Sequence, residues 1–448
     1  MLLLALSLLC APVDHEVLLQ LLSVDTSHGH ELQALQPVLE RFKAAGIPAQ
    51  LLESAPTRGN LIARIKGTGA QRPLLLLAHI DVVPVEGQKW KTPPFTPVEK
   101  DGYLTARGVT DDKAMASAIV AVALELAASP KKPSRDVIVA LTSAEETGAI
   151  EGVQWLVKNH RDLIDAELAL NEGGDIFVAT DLSRVEVVQM SVAEKTYKSF
   201  RLSTRGTGGH SSVPPMDRDP VLQLARALVK VSEYRFPAHV IPEARDQLAT
   251  AAKAEKPPLS EALANAVRTA PRIDPRDEEA IARERVYNAA IRTTCVATQL
   301  QGAPADNVLP TAPWAAVNCR ILPDETVEQT EERLKAAIGD PGVAIERMDA
   351  LGPGGNSPLT GPVPSAVRAA AKKLWGDVPV INGLQFGSTD SKYLREIGIA
   401  AYGIDTAPAS LEDTRRGFGA HGANERAPLK WLPAGTQFLR EVVRELVK

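Results

Sequence analysis

Hydrophobic and polar positions along the first 190 or so residues alternate between helical and strand patterns. Apolar residues recur at helical spacing in 30–47, which predicts a helix that ends at Gly46. Apolar runs at 60–67, 72–79 and 134–144 indicate strands, and the apolar stretch 113–129 is long enough to be a crossover helix. This alternation predicts an α/β domain with a parallel or mixed sheet.

The pattern changes near residue 194. Alternating polar and apolar residues predict half-exposed strands at 197–206, 292–302 and 314–322. Helical spacing predicts helices at 220–233 and 326–339. Two helices among alternating strands predict a small α+β domain with its helices on one face of an open sheet. The stretch 234–290, rich in Ala, Pro, Arg and Glu, fits neither pattern and indicates a largely helical insertion.

The α/β pattern returns toward the C-terminus. A helix is predicted near 364–375, and strands are predicted near 378–386 and 399–404. The second domain is therefore expected to be inserted into the first. The predicted boundaries are 12–192 and 353–448 for the α/β domain and 193–352 for the inserted domain.

Composition narrows the class of protein. The chain has 448 residues, of which 44% are hydrophobic and 23% charged, so it is a globular chain long enough for two or three domains. The formal net charge is only -5, and no block of basic residues is interleaved with aromatic ones. These features argue against nucleic acid as a partner.

The N-terminal residues 1–11 form an apolar run that leaves two interpretations open. The run is far shorter than the roughly 20 residues that span a bilayer, so no integral membrane span is expected. One interpretation is a secretory signal, with an exported protein, although the basic region is missing and Pro12 follows. The other is an apolar N-terminal helix of a cytoplasmic protein.

The cysteines do not form a metal-binding motif. Cys10, Cys295 and Cys319 show no CxxC spacing, and their number is too small for a disulfide-rich scaffold. Cys295 and Cys319 are either buried thiols or the two halves of a disulfide.

Polar residues follow several predicted strands at the point where each strand ends. His79 and Asp81 come after the apolar run 74–78, and residues two apart on a strand share a face. Further polar residues at strand ends and in nearby loops are Asp111, Asp112, Glu145, Glu146, Glu172, Asp175 and His421. Such groups gather at the carboxyl ends of strands in open α/β sheets, and this donor set suits zinc, manganese or cobalt.

Each of these residues also has a purely structural interpretation when it is taken alone. A histidine at a strand end is usually a satisfied polar residue, and Asp-Asp before a helix is commonly an N-cap. A Glu-Glu pair at a strand-to-helix junction often faces a helix dipole. The order and spacing of the motifs decide between the interpretations.

Five motifs stand in a fixed order, namely HID at 79–81, RGVTDDK at 107–113, SAEE at 143–146, NEGG at 171–174 and HGANE at 421–425. Together they resemble the co-catalytic zinc hydrolases that include aminoacylases, acetylornithine deacetylase, succinyl-diaminopimelate desuccinylase and carboxypeptidase S. Residues 292–310 and 317–323, together with the insertion before them, look most like the carboxypeptidase S and N-acyl-amino-acid hydrolase branch. The resemblance implies a mixed-sheet catalytic domain and an inserted, ferredoxin-like lid or dimerisation domain.

The resemblance also implies a metal centre with two zinc ions per chain, for which cobalt or manganese can substitute. His79, Asp111 and Glu172 would hold one ion, and Asp111, Glu146 and His421 would hold the other, so Asp111 would bridge. Asp112 would follow the bridging residue across a strained peptide bond.

Catalytic roles follow from the same resemblance. Glu145 would be the general base beside the metals, and Asp81 would hydrogen-bond the His79 ring and fix its tautomer. His210, in a glycine-rich turn, would reach the active site of the second subunit of a homodimer; without the resemblance it is a surface histidine.

Substrate contacts are implied for residues of two further stretches, namely Asn307, Arg320, Gly387, Ser388 and Lys392. Arg320 presents a fork that fits a carboxylate. Lys392 stands where many members of the family have arginine, and a lysine lacks the bidentate geometry.

The predicted function is a metallo-hydrolase that cleaves N-acyl amino acids or short peptides beside a free carboxylate. One alternative is a biosynthetic deacetylase or desuccinylase in the cytoplasm, against which a real signal segment would argue. The other is a noncatalytic metal-binding relative, against which an intact Glu145 argues.

Overall fold

The computed structural model describes residues 13–216, 219–348 and 355–448. The N-terminal segment 1–11, which carries the export prediction, lies outside the described residues. The chain divides into two compact units. The first contains the described residues up to Val192 together with Ser357–Asn382 and Thr389–Lys448, and the second contains Ala193–Asn356 and Gly383–Ser388.

Helices and strands are numbered in chain order through both units. The helices are α1 (Val13–Leu22), α2 (Glu31–Ala44), α3 (Lys113–Ala128), α4 (Val153–Asn159), α5 (Arg161–Ile164), α6 (Pro220–Glu233), α7 (Pro242–Ala254), α8 (Leu259–Thr269), α9 (Pro275–Ala282), α10 (Arg285–Ile291), α11 (Val327–Ile338), α12 (Pro362–Trp375), α13 (Ser391–Glu396), α14 (Leu411–Arg415) and α15 (Leu432–Leu446). The strands are β1 (Ala49–Ala55), β2 (Arg58–Ile65), β3 (Gln71–His79), β4 (Val98–Lys100), β5 (Tyr103–Thr105), β6 (Arg135–Thr142), β7 (Leu168–Asn171), β8 (Asp175–Val178), β9 (Val185–Glu194), β10 (Thr196–Ser203), β11 (Gly209–His210), β12 (Thr294–Gln301), β13 (Val308–Leu309), β14 (Trp314–Ile321), β15 (Ala344–Arg347), β16 (Val380–Gln385), β17 (Ala400–Gly403), β18 (Ala409–Ser410) and β19 (Arg426–Pro428).

The first unit is built on a mixed sheet. The strand order is β1-β2-β6-β3-β7-β17-β9-β8-β18, with β16 paired to β9. Strands β6, β3, β7 and β17 run parallel to one another, whereas β1, β2 and β9 pair antiparallel with their neighbours. The mixed sheet expected from the sequence is confirmed.

The central strand β3 is buried on both faces. Leu74, Leu75, Leu76, Leu77 and Ala78 are all 0% exposed, which is typical of a parallel strand that is covered by helices on both sides. Helix α3 makes the crossover between the parallel strands β3 and β6, as its apolar sequence predicts. Because β3, β6 and β7 are parallel, the chain leaves all three at the same edge of the sheet.

The second unit contains an antiparallel sheet of order β12-β14-β10-β15. Alternate residues of β10, such as Phe200 and Leu202, are buried against helices α6 and α11, which contribute Leu224 and Leu334 to the same core. Helices on one face of an open sheet confirm the α+β class. Residues 234–290 contain helices α7–α9 and most of α10, as the composition of this stretch predicts, and their apolar side chains pack together with Leu322 and Leu384 of the same unit.

Cys295 and Cys319 form a disulfide in the second unit. They lie directly opposite each other on the neighbouring strands β12 and β14, with their Cα atoms 4.1 Å apart. This pairing decides between the two alternatives that the sequence leaves open. The bridge ties the edge strand β12 to the strand beside it.

Across the described ranges, none of the helices combines the length and the apolar character that a membrane crossing requires.

Candidate metal centre

The carboxyl ends of three parallel strands bring the candidate ligands together in the first unit. His79 is the last residue of β3, and its register partner Thr142 is the last residue of β6. A 3-10 turn, Glu145–Thr147, follows β6, and Glu172 follows β7 directly. Asp111 lies just before helix α3, and His421 comes from the loop before β19.

The Asp111 carboxylate lies between the two histidines. Its Oδ1 is 2.9 Å from His79 Nε2, and its Oδ2 is 3.1 Å from His421 Nε2. The same His421 nitrogen is 2.9 Å from Glu146 Oε1. Each oxygen of one carboxylate therefore faces a different imidazole nitrogen, which is the arrangement of a bridging ligand between two cations.

Two overlapping groups of side chains have donor atoms close enough to hold an ion. His79, Glu145 and Glu172 form one group, and His79, Asp111 and Glu146 form the other, with the donor atoms of each within 4.8 Å of one another. Imidazole nitrogen and carboxylate oxygen are ligands for zinc and similar divalent metals. Glu145 belongs to the first group, so it lies beside the ligands rather than apart from them.

The carboxylates of the centre outnumber the cationic side chains that face them. Burial, and next the charge of Glu172, raise the pKa of Glu145 well above its ordinary value. Burial and the Asp111 charge likewise raise the pKa of Glu172. This excess of buried negative charge, in a set of nitrogen and oxygen donors, fits divalent cations.

The surrounding negative charge also raises the pKa of the two imidazoles, because it favours their protonated, positively charged form. Hydrogen bonds to Asp111 and then Glu146 raise the pKa of His421 to about 10. Burial lowers the pKa of His79, but Asp111 and Asp81 more than offset it, so the pKa lies well above its ordinary value. Burial alone would raise the pKa of Asp111, yet the hydrogen bonds from His421 and His79 lower it.

Asp81 contacts three parts of the centre. Its backbone carbonyl is 2.9 Å from His79 Nδ1, while its carboxylate Oδ1 is 3.4 Å from the same nitrogen. The two carboxylate oxygens accept the backbone N–H groups of Glu145 and Glu146, each at 3.0 Å. The sequence predicts the ring contact but assigns it to the side chain. The structure shows the carbonyl as the nearer partner, and the carboxylate holds the Glu145–Glu146 turn.

Asp112 follows Asp111 across a cis peptide bond. It is buried, at 4% exposure, and its Oδ2 has no hydrogen-bond partner among the described residues. Burial raises its pKa well above the ordinary value. Asp112 therefore does not carry the N-terminal cap that an Asp-Asp pair before a helix commonly supplies, since its side chain makes no cap hydrogen bond to α3.

Lys392 is the predicted substrate-binding residue that belongs to the first unit. It is buried in helix α13, and its ammonium lies 4.6 Å from the centre of the Tyr393 ring. Near it, Asp390 is a buried carboxylate that the sequence analysis did not select. Asp390 Oδ2 accepts from Thr142 Oγ1 at 3.1 Å, and burial raises its pKa to about 7. Its position after strand β16 is the signal that could have indicated it.

The remaining predicted residues belong to the second unit, namely His210, Asn307, Arg320, Gly387 and Ser388. His210 and Asn307 are exposed, and the His210 ring lies 2.8 Å from Ser212 Oγ. Arg320 stacks on Tyr197 with its guanidinium 4.6 Å from the ring centre, and its Nη1 is buried without a hydrogen-bond partner among the described residues. Gly387 and Ser388 are partly buried.

A family model described as peptidase family M20/M25/M40 matches residues 75–445, which is most of the chain and includes every predicted ligand. The chain belongs to this family. The resemblance inferred from the five motifs is thereby confirmed, and the peptidase is a hydrolase of amide bonds.

Three similar proteins illustrate the range of the family. The peptidase is 28% identical over 388 residues to the human N-fatty-acyl-amino acid synthase/hydrolase PM20D1, covering 83% of this chain and 74% of that one. It is 25% identical over 401 residues to succinyl-diaminopimelate desuccinylase of Delftia acidovorans, and the match covers 88% of this chain and 89% of that one. The M20 family metallo-carboxypeptidase Sso-CP2 from Sulfolobus solfataricus has the same fold, with a TM-score of 0.68 and 19% identity. The superposition covers 96% of this chain and 98% of that one.

Metal binding to the peptidase should release protons. Both imidazoles are protonated near neutral pH because their pKa values are raised, and a metal ligand must be neutral imidazole. The apparent affinity for metal should therefore rise with pH through the neutral range, where both imidazoles still carry protons that the metal must displace. Calorimetric titration of metal-free protein with zinc, in buffers of different ionisation enthalpy at about pH 8, measures the number of protons released. A binding enthalpy that does not depend on the buffer would contradict this prediction.

Proposed function

We propose that this peptidase is a two-zinc amidohydrolase that cleaves N-acyl amino acids or short peptides beside a free carboxylate. The observation that carries the proposal is the Asp111 carboxylate, which meets a different histidine at each oxygen while Glu145 lies beside the same ligands. A protein that only stored or bound metal would have no use for an additional buried carboxylate at this point.

The proposed ligands are His79, Asp111 and Glu172 for one zinc and Asp111, Glu146 and His421 for the other. Zinc ions would supply positive charge that polarises the scissile carbonyl and acidifies a water molecule, and cobalt or manganese can take their place. Support for this assignment comes from the distances of 2.9 to 3.1 Å that connect Asp111 and Glu146 to the two imidazoles.

Glu145 is the proposed general base. Its carboxylate accepts a proton from the attacking water and returns that proton to the leaving nitrogen. Burial raises the pKa of Glu145 in the metal-free protein, and bound cations would lower that pKa again and free the carboxylate to accept a proton. Asp81 positions Glu145 because it accepts the backbone N–H of this residue and of Glu146.

Arg320 is the proposed partner of the substrate carboxylate. Its buried and unpartnered Nη1 is a donor that a carboxylate can satisfy, and the Tyr197 ring fixes the plane of the guanidinium. Lys392, Asn307, Gly387 and Ser388 are proposed to contact other polar groups of the substrate. A lysine offers a point charge in place of a fork, so Lys392 would contribute less to orientation than an arginine.

The choice of substrate class rests on the relatives. The human relative is named for N-fatty-acyl amino acids, and the Delftia relative is named as a desuccinylase. An acylated amine with a nearby carboxylate is common to both, and an N-acyl amino acid is the simplest compound of that kind. A biosynthetic desuccinylase remains the second candidate because its relative is matched over 88% of this chain.

Export of the protein is also proposed. The disulfide between Cys295 and Cys319 supports it, since disulfides persist in oxidising compartments and are rare in the cytosol. This support is independent of the apolar segment 1–11, from which the interpretation as a secretory signal came.

A homodimer is proposed through the second unit. Within the described residues strand β12 pairs with β14 alone, so its outer edge is open, and Val296 and Leu300 on it are 61% and 71% exposed. Helix α6 packs on β12 and presents Leu222 and Val229, each 53% exposed. An open edge beside an exposed apolar stripe favours pairing with a second copy. His210 is proposed to stabilise the oxyanion in the site of the second subunit.

The function is tested with metal-loaded protein and a panel of N-acyl amino acids, their amidated forms and dipeptides, by measurement of the released amine. Hydrolysis of free-acid substrates should require metal. Glu145→Gln should lower kcat by about 100- to 10,000-fold and keep both ions, because it removes a proton acceptor and no ligand. Glu146→Gln should instead weaken the binding of one of the two ions. Full activity after chelation, or equal metal loss in both variants, would refute the mechanism.

Arg320→Ala should mainly raise KM for substrates with a free carboxylate. Loss of a charge-assisted contact costs about 1.5 to 3 kcal/mol, or roughly 10- to 150-fold in kcat/KM. Arg201→Ala is the matched control, since Arg201 stacks on Trp314 of the same sheet in a similar way but has no proposed role with the substrate. If Arg320→Ala leaves the ratio of rates for free-acid and amidated substrates unchanged, Arg320 is not a carboxylate contact.

Mixed dimers test the role of His210. His210→Ala and Glu145→Gln should each be nearly inactive, yet their mixed dimer holds one site with both groups intact. Random exchange at equal concentrations should restore roughly a quarter of the wild-type sites. A mixture of Glu145→Gln with Glu146→Gln is the control, because each chain then carries a change in its own metal centre and no complete site can form. Absence of recovery after verified exchange would mean that His210 does not act across a dimer.

A further inference from the structure

The two histidines of the metal centre are held in different ways. His79 is buried, and both of its ring nitrogens are engaged, Nε2 with Asp111 and Nδ1 with the Asp81 carbonyl. The His421 side chain is 56% exposed, and its Nδ1 has no partner among the described residues. Metal-binding histidines almost always have a partner for the second nitrogen, which sets the direction of the ring. Among the described residues no group directs the ring from its Nδ1 side, so the loop that carries His421 is the part of the protein that positions it.

The backbone of the His421 loop needs external support. His421 has a φ of 65° and Asn424 a φ of 61°, both in the left-handed region that residues other than glycine rarely adopt. Such conformations persist when surrounding contacts fix them. The contacts that reach the His421 backbone are therefore the ones that direct its ring.

Gln88 supplies the shortest of these contacts. Its Nε2 donates to the His421 carbonyl at 3.0 Å, while the longer contact from Arg107 Nη2 to the same oxygen is 3.4 Å. The Gln88 Oε1 accepts from Arg107 Nη2 at 2.7 Å and from Trp90 Nε1 at 3.0 Å. Arginine and tryptophan can only donate, so the amide oxygen must face them and the amide nitrogen must face His421.

The partners of Gln88 are themselves fixed. Arg107 is 1% exposed and donates to Glu425 Oε2 at 2.7 Å, and Glu425 in turn accepts from Gly108 N and Thr110 N just before Asp111. The amide of Gln88 therefore connects the loop that carries His421 to a rigid network next to the bridging carboxylate.

We propose that Gln88 is a positioning residue for the metal ligand His421. It supports, through the backbone, a ring whose Nδ1 has no partner among the described residues. The inference rests on the proposed function, because it takes His421 as a ligand of one of two ions. It follows that the ion held by Asp111, Glu146 and His421 depends on Gln88, whereas the ion held by His79, Asp111 and Glu172 does not.

The test compares the two metal affinities of the full-length protein. Gln88→Glu keeps an acceptor for Arg107 and Trp90 but removes the donor to the His421 carbonyl, and Gln88→Ala removes the contacts without adding charge. In both variants one ion should bind as in the wild type and the other about 10- to 100-fold more weakly. Cobalt titration followed by absorption spectroscopy, with zinc counted after competition with a chelator, measures both affinities.

Trp90→Phe is the matched control, because it removes a donor to Gln88 and leaves the bond from Gln88 to His421 in place. It should not change either affinity. If the Gln88 variants bind both ions equally more weakly and also have a lower Tm, Gln88 is a structural residue and the proposal is overturned. Two unchanged affinities would overturn it as well. A wild-type protein that binds no metal would instead refute the proposed function.

Discussion

Electrostatic repulsion among buried carboxylates is the constraint on which the first unit depends. Glu145, Glu172 and Asp111 converge at a site that solvent reaches only in part, and burial together with like charge raises the pKa of the first two. The two imidazoles offset only part of this charge. An arrangement of this kind costs free energy in the absence of cations, so the fold must hold the carboxylates in place by other means.

The parallel sheet provides that support. Side chains that are far apart in sequence meet because β3, β6 and β7 end at one edge, and the strand residues that lead to that edge are buried and mostly apolar. The covered strands contribute hydrophobic stabilisation, and the loops beyond them carry the charge. His421 is the exception, since its loop precedes a short strand of a different sheet and it approaches the centre from the exposed side.

Much of this arrangement could be predicted from the sequence, for identifiable reasons. Strands β3 and β6 and helix α3 have strong apolar patterns, so the fold class could be inferred. The ligand set came from the resemblance of five ordered motifs to a family, and it stays a prediction. The two hydrogen bonds that the Asp81 carboxylate accepts could not be predicted, because they depend on the backbone direction of a turn 64 and 65 residues away. The Gln88 amide also gave no signal, since a lone glutamine in a loop has no periodicity. The sequence could not decide whether Cys295 and Cys319 form a disulfide, because cross-strand register cannot be read from cysteine spacing.

The two hydrogen bonds that the Asp81 carboxylate accepts from the backbone of Glu145 and Glu146 restrict which amino acids position 81 tolerates. Asparagine has one acceptor oxygen and would turn an N–H group toward one of the two backbone donors, and glutamate adds a methylene that moves both oxygens. Aspartate alone presents two equivalent oxygens at this distance from the strand. Glu145, the proposed base, and Glu146, the proposed ligand beside it, are thus linked as one rigid element, and a change of residue at position 81 cannot alter the geometry of one without altering the other.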